Sequence, residues 1–283
     1  ISGIGIHRQQ ILKTVGINDL PTLAAADPFN LAKKLKLIDP NHAEITSQLI
    51  NQAKVQRDGL AERITQNPAL PELRNQRNLL LYDIESDPDV GEDFLHGFLN
   101  LKLDVANNWD IKSAKYHPIL VLSEHKEELC WKRLKHLLDC VPKRKILHYG
   151  ETEVSSLCRL AKRQGMSDEC LMDLRERCID LHVRVRTHWR LPLSSYGLKN
   201  VATWIGFNWR KKGADGARAL LWWRHWKGSG RHTRGNINSL RWILEYNHDD
   251  NLATWAVASW LLEQDTRLGI RANSELHPKK QIH

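Results

Sequence analysis

The chain has 283 residues, with 42 Lys and Arg against 33 Asp and Glu and a formal net charge of +9. Hydrophobic residues at 41% and charged residues at 27% exclude a mostly disordered chain, and no apolar run approaches the roughly 18 residues of a membrane span. Five cysteines without a C-x-x-C spacing exclude a disulfide scaffold or a Cys-based zinc site, so a reducing, cytoplasmic setting is expected. No secretory leader opens the chain, and its start at Ile1 rather than Met points to a piece of a longer protein.

Ile1-Ser2-Gly3-Ile4-Gly5 precedes a polar-apolar helical pattern that runs to Val15. This opening is similar to half of a helix-hairpin-helix element, in which Gly3 and Gly5 would let backbone N–H groups approach a phosphate. An ordinary turn between helices fits the same residues. Residues 19–66 read as helical throughout, with starts at Asp27-Pro28 and Asp39-Pro40 and a long stretch from Ala43 to Ile64. Asn67-Pro68 and Leu70-Pro71 break the pattern and place a domain boundary near residue 75.

Beyond that boundary the period changes. Leu79–Glu85 reads as a buried strand, followed by strands over Phe94–Leu101 and Pro118–Leu122. A helix over Glu124–Leu138 leads to a strand at Lys145–Tyr149 and a helix at Val154–Arg163. Helices then dominate: Asp168–Cys178, Tyr196–Ile205, Ala214–Trp226 and about Ile237 to Leu262. Strands followed by alternating and trailing helices predict an α/β class with a mixed sheet. The expected organisation is a helical region over 1–75, an α/β domain over 76–265 and a polar tail over 266–283.

Between Phe207 and Arg241 lie nine Lys or Arg against the single acid Asp215, so this segment holds nearly all the excess charge. Arg210, Lys211, Lys212, Arg224, Lys227 and Arg231 are interleaved with tryptophans, Trp223 among them. Cations that track phosphates beside rings on which bases stack are what single-stranded nucleic acid requires. A solvated helix whose tryptophans pack inward is the other reading of the same residues.

Asp83 and Glu85 stand two apart on the first strand, so both side chains leave one face. Two acids on an apolar strand need a compensating charge, and a divalent cation is a natural one; a strand end open to solvent is the alternative. Tyr246 and Asp250 stand four apart and share a helical face, which places a phenol beside a carboxylate. Asp249 is turned about 100° away and is read as an exposed acid or a partner for a base. Glu153 falls near a helix N-terminus after His148-Tyr149-Gly150, a position that suits a capping acid.

Together, Asp83-x-Glu85, a central acidic motif and Tyr246-x-x-x-Asp250 resemble the DEDDy group of DnaQ-like 3′–5′ exonucleases, which have a ribonuclease-H-like fold. The chain is most similar to the C-terminal domain of putative RecB-family nucleases, through Leu81-Tyr82-Asp83-Ile84-Glu85, His148-Tyr149-Gly150, Asp180-Leu181, the stretch from Leu191-Pro192 to Lys199, and Tyr246 to Trp255. The likeness spans roughly residues 79 to 262. It departs from the pattern at Glu153, where DEDD enzymes carry Asp.

The resemblance implies phosphodiester hydrolysis at the free 3′ end of single-stranded DNA or RNA, with two Mg²⁺ or Mn²⁺ ions about 3.5–4 Å apart. It implies Asp83, Glu85, Glu153 and Asp250 as metal ligands, Tyr246 as the group that orients the attacking water, and a RecB-like nuclease segment ahead of residue 1. The competing expectations are a catalytically impaired nucleic-acid-binding module and a structural partner domain of a larger complex.

Overall fold

The computed structural model describes residues 4–121, 127–141, 143–228 and 234–270. These described residues divide into two compact units, one of those up to 67 together with 184–201, the other of those within 68–183 and from 202 onward. The first unit therefore takes in a segment that the linear reading assigned to the α/β domain.

In the first unit, α1 (Ile6–Thr14), α2 (Leu20–Ala25), α3 (Pro28–Lys36), α4 (Pro40–Glu44) and α5 (Thr46–Asp58) enclose a core of Leu12, Leu23, Leu35, Ile50 and Ala53. Three aspartates start three of these helices. Asp19, Asp27 and Asp39 accept from the backbone N–H of Thr22, Asn30 and Asn41 at 2.8, 2.8 and 2.9 Å. Each is followed by a proline in the first helical turn, whose missing N–H costs nothing there.

Residues 19–66 are not helical throughout. Gly59 closes α5 in the left-handed region at φ 71°, and the chain leaves as β1 (Glu62–Arg63), which pairs antiparallel with β7 (Trp189–Arg190). Gly5 caps α1 at φ −77° and ψ 171°, backbone that any residue adopts, so it does not form a glycine-dependent turn. Gly3 lies outside the described residues.

The second unit is a mixed sheet flanked by helices. Its strands are β2 (Asn78–Asp87), β3 (Glu92–Lys102), β4 (Lys115–Leu120), β5 (Lys145–His148) and β6 (Cys178–Asp180), in the order β4-β3-β2-β5-β6. β4, β3 and β2 run antiparallel, whereas β2, β5 and β6 run parallel. The parallel pairs need crossovers, supplied by α6 (Glu127–Asp139) before β5, and by α7 (Glu151–Arg163) and α8 (Asp168–Arg177) before β6. The chain passes into the first unit within α9 (Leu181–His188) and returns within α10 (Leu198–Trp204); α11 (Gly216–Gly228) and α12 (Arg234–Arg267) follow in the second.

Alternation along β2 sorts its side chains. Leu80 and Tyr82 enter a core with Trp131 and Leu134 of α6, Leu157 and Leu160 of α7 and Leu174 of α8, where Tyr82 stacks on Phe98 at 4.4 Å. Phe94 and Leu95 pack instead on Trp223 of α11 and Ile243 of α12. The β2–β3 register slips where Glu85 faces Leu95 and Ser86 faces Asp93, which leaves Phe94 as the extra residue of a bulge beside Glu85. Among the described residues, no helix is long and apolar enough to cross a membrane.

Candidate metal centre

Asp83 and Glu85 follow Leu81 on the β2 face that α12 packs against, opposite the face of Tyr82. α12 brings Asp250 to the same place. Oxygen atoms of Asp83, Glu85 and Asp250, one from each, lie within 4.8 Å of one another. Strand and helix thus meet through carboxylates where an apolar interface would be expected.

Asp83 and Asp250 are each held by a neighbour that the residue patterns did not reveal. Asn247, one turn before Asp250, donates from Nδ2 to Asp83 Oδ2 at 2.7 Å and accepts at Oδ1 from the Tyr116 hydroxyl at 2.8 Å. The Asn247 side chain fits because Gly97, paired with Asp83 across β2 and β3, has no Cβ. The indole Nε1–H of Trp209 donates to Asp250 Oδ1 at 2.6 Å, and the Tyr246 hydroxyl hydrogen-bonds the same carboxyl group. Asp249 is neither exposed nor directed into the centre. Its buried carboxylate accepts from Arg210 twice, from the backbone N–H at 2.9 Å and from Nε at 2.7 Å. Consecutive acids of α12 therefore fasten consecutive residues of the 205–215 loop, and Arg210 locks the segment that aims Trp209.

Glu153 sits in the first turn of α7, outside the close group of three. Its Oε2 is buried without a hydrogen-bond partner among the described residues, and a Cβ at Gly150 would lie 3.5 Å from it. Burial first, and then the charges of Asp180 and Asp250, push its carboxyl up to about 8, against the pull of its own backbone N–H. Loss of solvent, then the charges of Asp250, Glu85 and Glu153, push Asp83 well above the ordinary carboxylate range. Tyr246 is raised strongly too, by burial and then by Asp250, so its hydroxyl stays protonated. Like charges crowded out of water are the setting in which a hard cation with oxygen ligands repays its own dehydration. The donor set fits Mg²⁺ or Mn²⁺ and offers no thiolate or imidazole that would select a softer metal.

Two further residues of the motifs have structural partners. Asp180 Oδ1 accepts from the backbone N–H of Gly150 and His182 at 3.0 and 2.8 Å and so ties the β5 end to the start of α9. The buried His148 bonds through Nδ1 to the Gly150 carbonyl at 2.6 Å, and burial pushes its imidazole down.

The basic strip is mostly occupied within the fold. Trp223 is 1% exposed and stacks on Phe94 at 4.4 Å, so it offers no face to a base. Arg224 pairs with Asp87 and Asp89, and Lys227 with Glu92 at 2.9 Å. Lys211 lies over the Trp242 and Trp222 rings, 3.3 and 4.8 Å from their centroids. Lys212 is exposed, with no partner among the described residues. Arg231 lies outside the described residues.

A family model described as RNase_H superfamily matches residues 80–262, about two thirds of the chain, from the second residue of β2's apolar run to the end of the Trp260 turn of α12. No curated protein and no solved structure matches the chain.

Proposed function

Because the chain belongs to the RNase_H superfamily, we propose that it is a metal-dependent nuclease, a 3′–5′ exonuclease hydrolysing phosphodiester bonds of single-stranded DNA or RNA. Family membership by itself supports a nuclease-type activity on nucleic acid and no narrower specificity. The observation that carries the reading is the convergence of three carboxylates from β2 and α12 within 4.8 Å.

Asp83, Glu85 and Asp250 would hold a divalent cation, and the buried Oε2 of Glu153 would add a ligand for a second. Such ions supply a more acidic bound water and positive charge for a phosphorane-like transition state. Asn247 fixes the Asp83 carboxylate and Trp209 fixes that of Asp250, so neither must reorganise during the reaction. Tyr246 keeps its proton and is aligned by Asp250; its hydroxyl would orient the attacking water in line with the scissile bond. Products would be nucleoside 5′-monophosphates.

The binding-module alternative rested on the basic strip between Phe207 and Arg241 and on the Gly3-Ile4-Gly5 hairpin. With Arg210, Arg224 and Lys227 engaged by Asp249, Asp87, Asp89 and Glu92, that support is weak. A 5′-labelled single strand separates the readings. In Mg²⁺ or Mn²⁺ it should shorten progressively from an unblocked 3′ end, stop at a 3′ block, and persist with Asp83→Asn. Binding without shortening in either metal would favour the impaired module, and cutting of a closed single-stranded circle would exclude an exonuclease.

A further inference from the structure

The first unit contains a cleft of about 460 Å³ whose lining has no role in the proposed hydrolysis. Its wall carries three guanidinium groups, Arg8, Arg186 and Arg190, and no carboxylate. Trp189 and Tyr196, both nearly buried, form an aromatic side, and the exposed Gln48 of α5 completes the rim. The volume is that of a pocket for one nucleotide-sized group.

Arg186 is exposed and makes no ion pair or hydrogen bond among the described residues. Arg190 shares its charge with Glu62 at 3.0 Å, on β1. The segment 184–201 contributes Arg184, Arg186, Arg190 and Lys199 without a single acid. The aromatic side is rigid: the Tyr196 hydroxyl accepts from the Leu191 N–H at 2.6 Å and donates to Gln52 Oε1 at 3.2 Å, while Arg63 lies 5.2 Å from the Trp189 ring centroid. A pre-formed cleft with planar cationic forks beside a fixed aromatic wall suits a phosphate joined to a flat ring.

We propose that this cleft is a nucleic-acid site: Arg186, Arg8 and Arg190 take a phosphodiester of a single strand, at a place separate from the carboxylates that would cleave it. The proposal rests on the nuclease reading for the identity of its ligand and supplies a holding site in the first unit. A free mononucleotide offers the same phosphate chemistry, so the test includes it.

The full chain is titrated into a fluorescein-labelled 20-nucleotide single strand in EDTA, which prevents cleavage, and anisotropy is read at several salt concentrations. Arg186→Glu and Gln48→Glu, both at exposed positions, should each weaken binding about tenfold and reduce the salt slope by about one. Lys132→Glu, an equal charge reversal on α6, should stay within about twofold of wild type. Thermal unfolding establishes that each variant is folded. Cleavage by the wild type in Mn²⁺ is scored separately, so its failure would count against the nuclease reading and not against the cleft. Cleft variants that bind the strand as wild type does would overturn the proposal. So would variants that lose adenosine monophosphate binding by calorimetry while keeping strand affinity, because the cleft would then serve the free nucleotide.

Discussion

Gly97→Ala is a one-carbon change that should reach the metal centre through a single contact. A Cβ on Gly97 would lie 1.6 Å from Asn247 Oδ1 and 2.7 Å from its Cγ, where such contacts essentially never fall below 3.0 Å. Asn247 must therefore retreat by about 1.5 Å, more than a hydrogen bond tolerates. Its bonds to Asp83 at 2.7 Å and from Tyr116 at 2.8 Å then fail together. At about 1 kcal/mol for each bond, the loss should be about 2 kcal/mol. Urea unfolding without divalent cation measures it. Asn247→Ala removes the obstructing group, so the double variant should be no less stable than Asn247→Ala alone, a coupling of at least about 2 kcal/mol. Gly97→Ala within 0.5 kcal/mol of wild type, to take an approximate error for additivity, or costs that simply add, would refute the close approach on which this reasoning stands.

Trp209→Phe keeps a ring but removes the donor to Asp250, and should lower nuclease turnover about tenfold with a stability cost of about 1–2 kcal/mol; unchanged turnover would detach the indole from the reaction. Arg210→Ala leaves the buried Asp249 without its side-chain partner and should cost about 2 kcal/mol in urea unfolding, while strand affinity in EDTA should change less than in the Arg186 variant. Glu153 gives a pH dependence. Its carboxyl is raised to about 8, above its unfolded value, so the native state holds the extra proton and cation-free stability falls as pH climbs from about 4.5 to about 8. Glu153→Gln should flatten that decline in melting temperature, and a decline of unchanged steepness would mean that Glu153 ionises as freely folded as unfolded. In activity assays Glu153→Asp should retain turnover and Glu153→Ala lose most of it; equal turnover in all three would leave Glu153 as a helix-capping acid.

What could be read from the chain was local. Asp83 and Glu85 share a face because strand side chains repeat every two residues, and Tyr246 meets Asp250 because helix neighbours recur at four. The mixed sheet followed from the change of period after residue 75. The supports of the centre were hidden because they join distant positions: Asn247 to Asp83, Trp209 to Asp250, and Gly97 beneath Asn247. A glycine inside β3 was the only local trace of that last contact. Net charge misled for the same reason. The acids that engage Arg224 and Lys227 lie on or beside β2 and β3, over a hundred residues away in sequence. β6 and β7 have three and two residues, too few for any periodicity to register, and β7 joins the first unit through a strand pair that no composition shift announces.

The account depends most on the oxygens of Asp83, Glu85 and Asp250 sharing a cation. Anomalous diffraction from crystals soaked in Mn²⁺ tests this directly. It should place a peak within bonding distance of all three side chains, absent in Asp83→Asn. Manganese bound elsewhere, with no density among these carboxylates, would contradict the account.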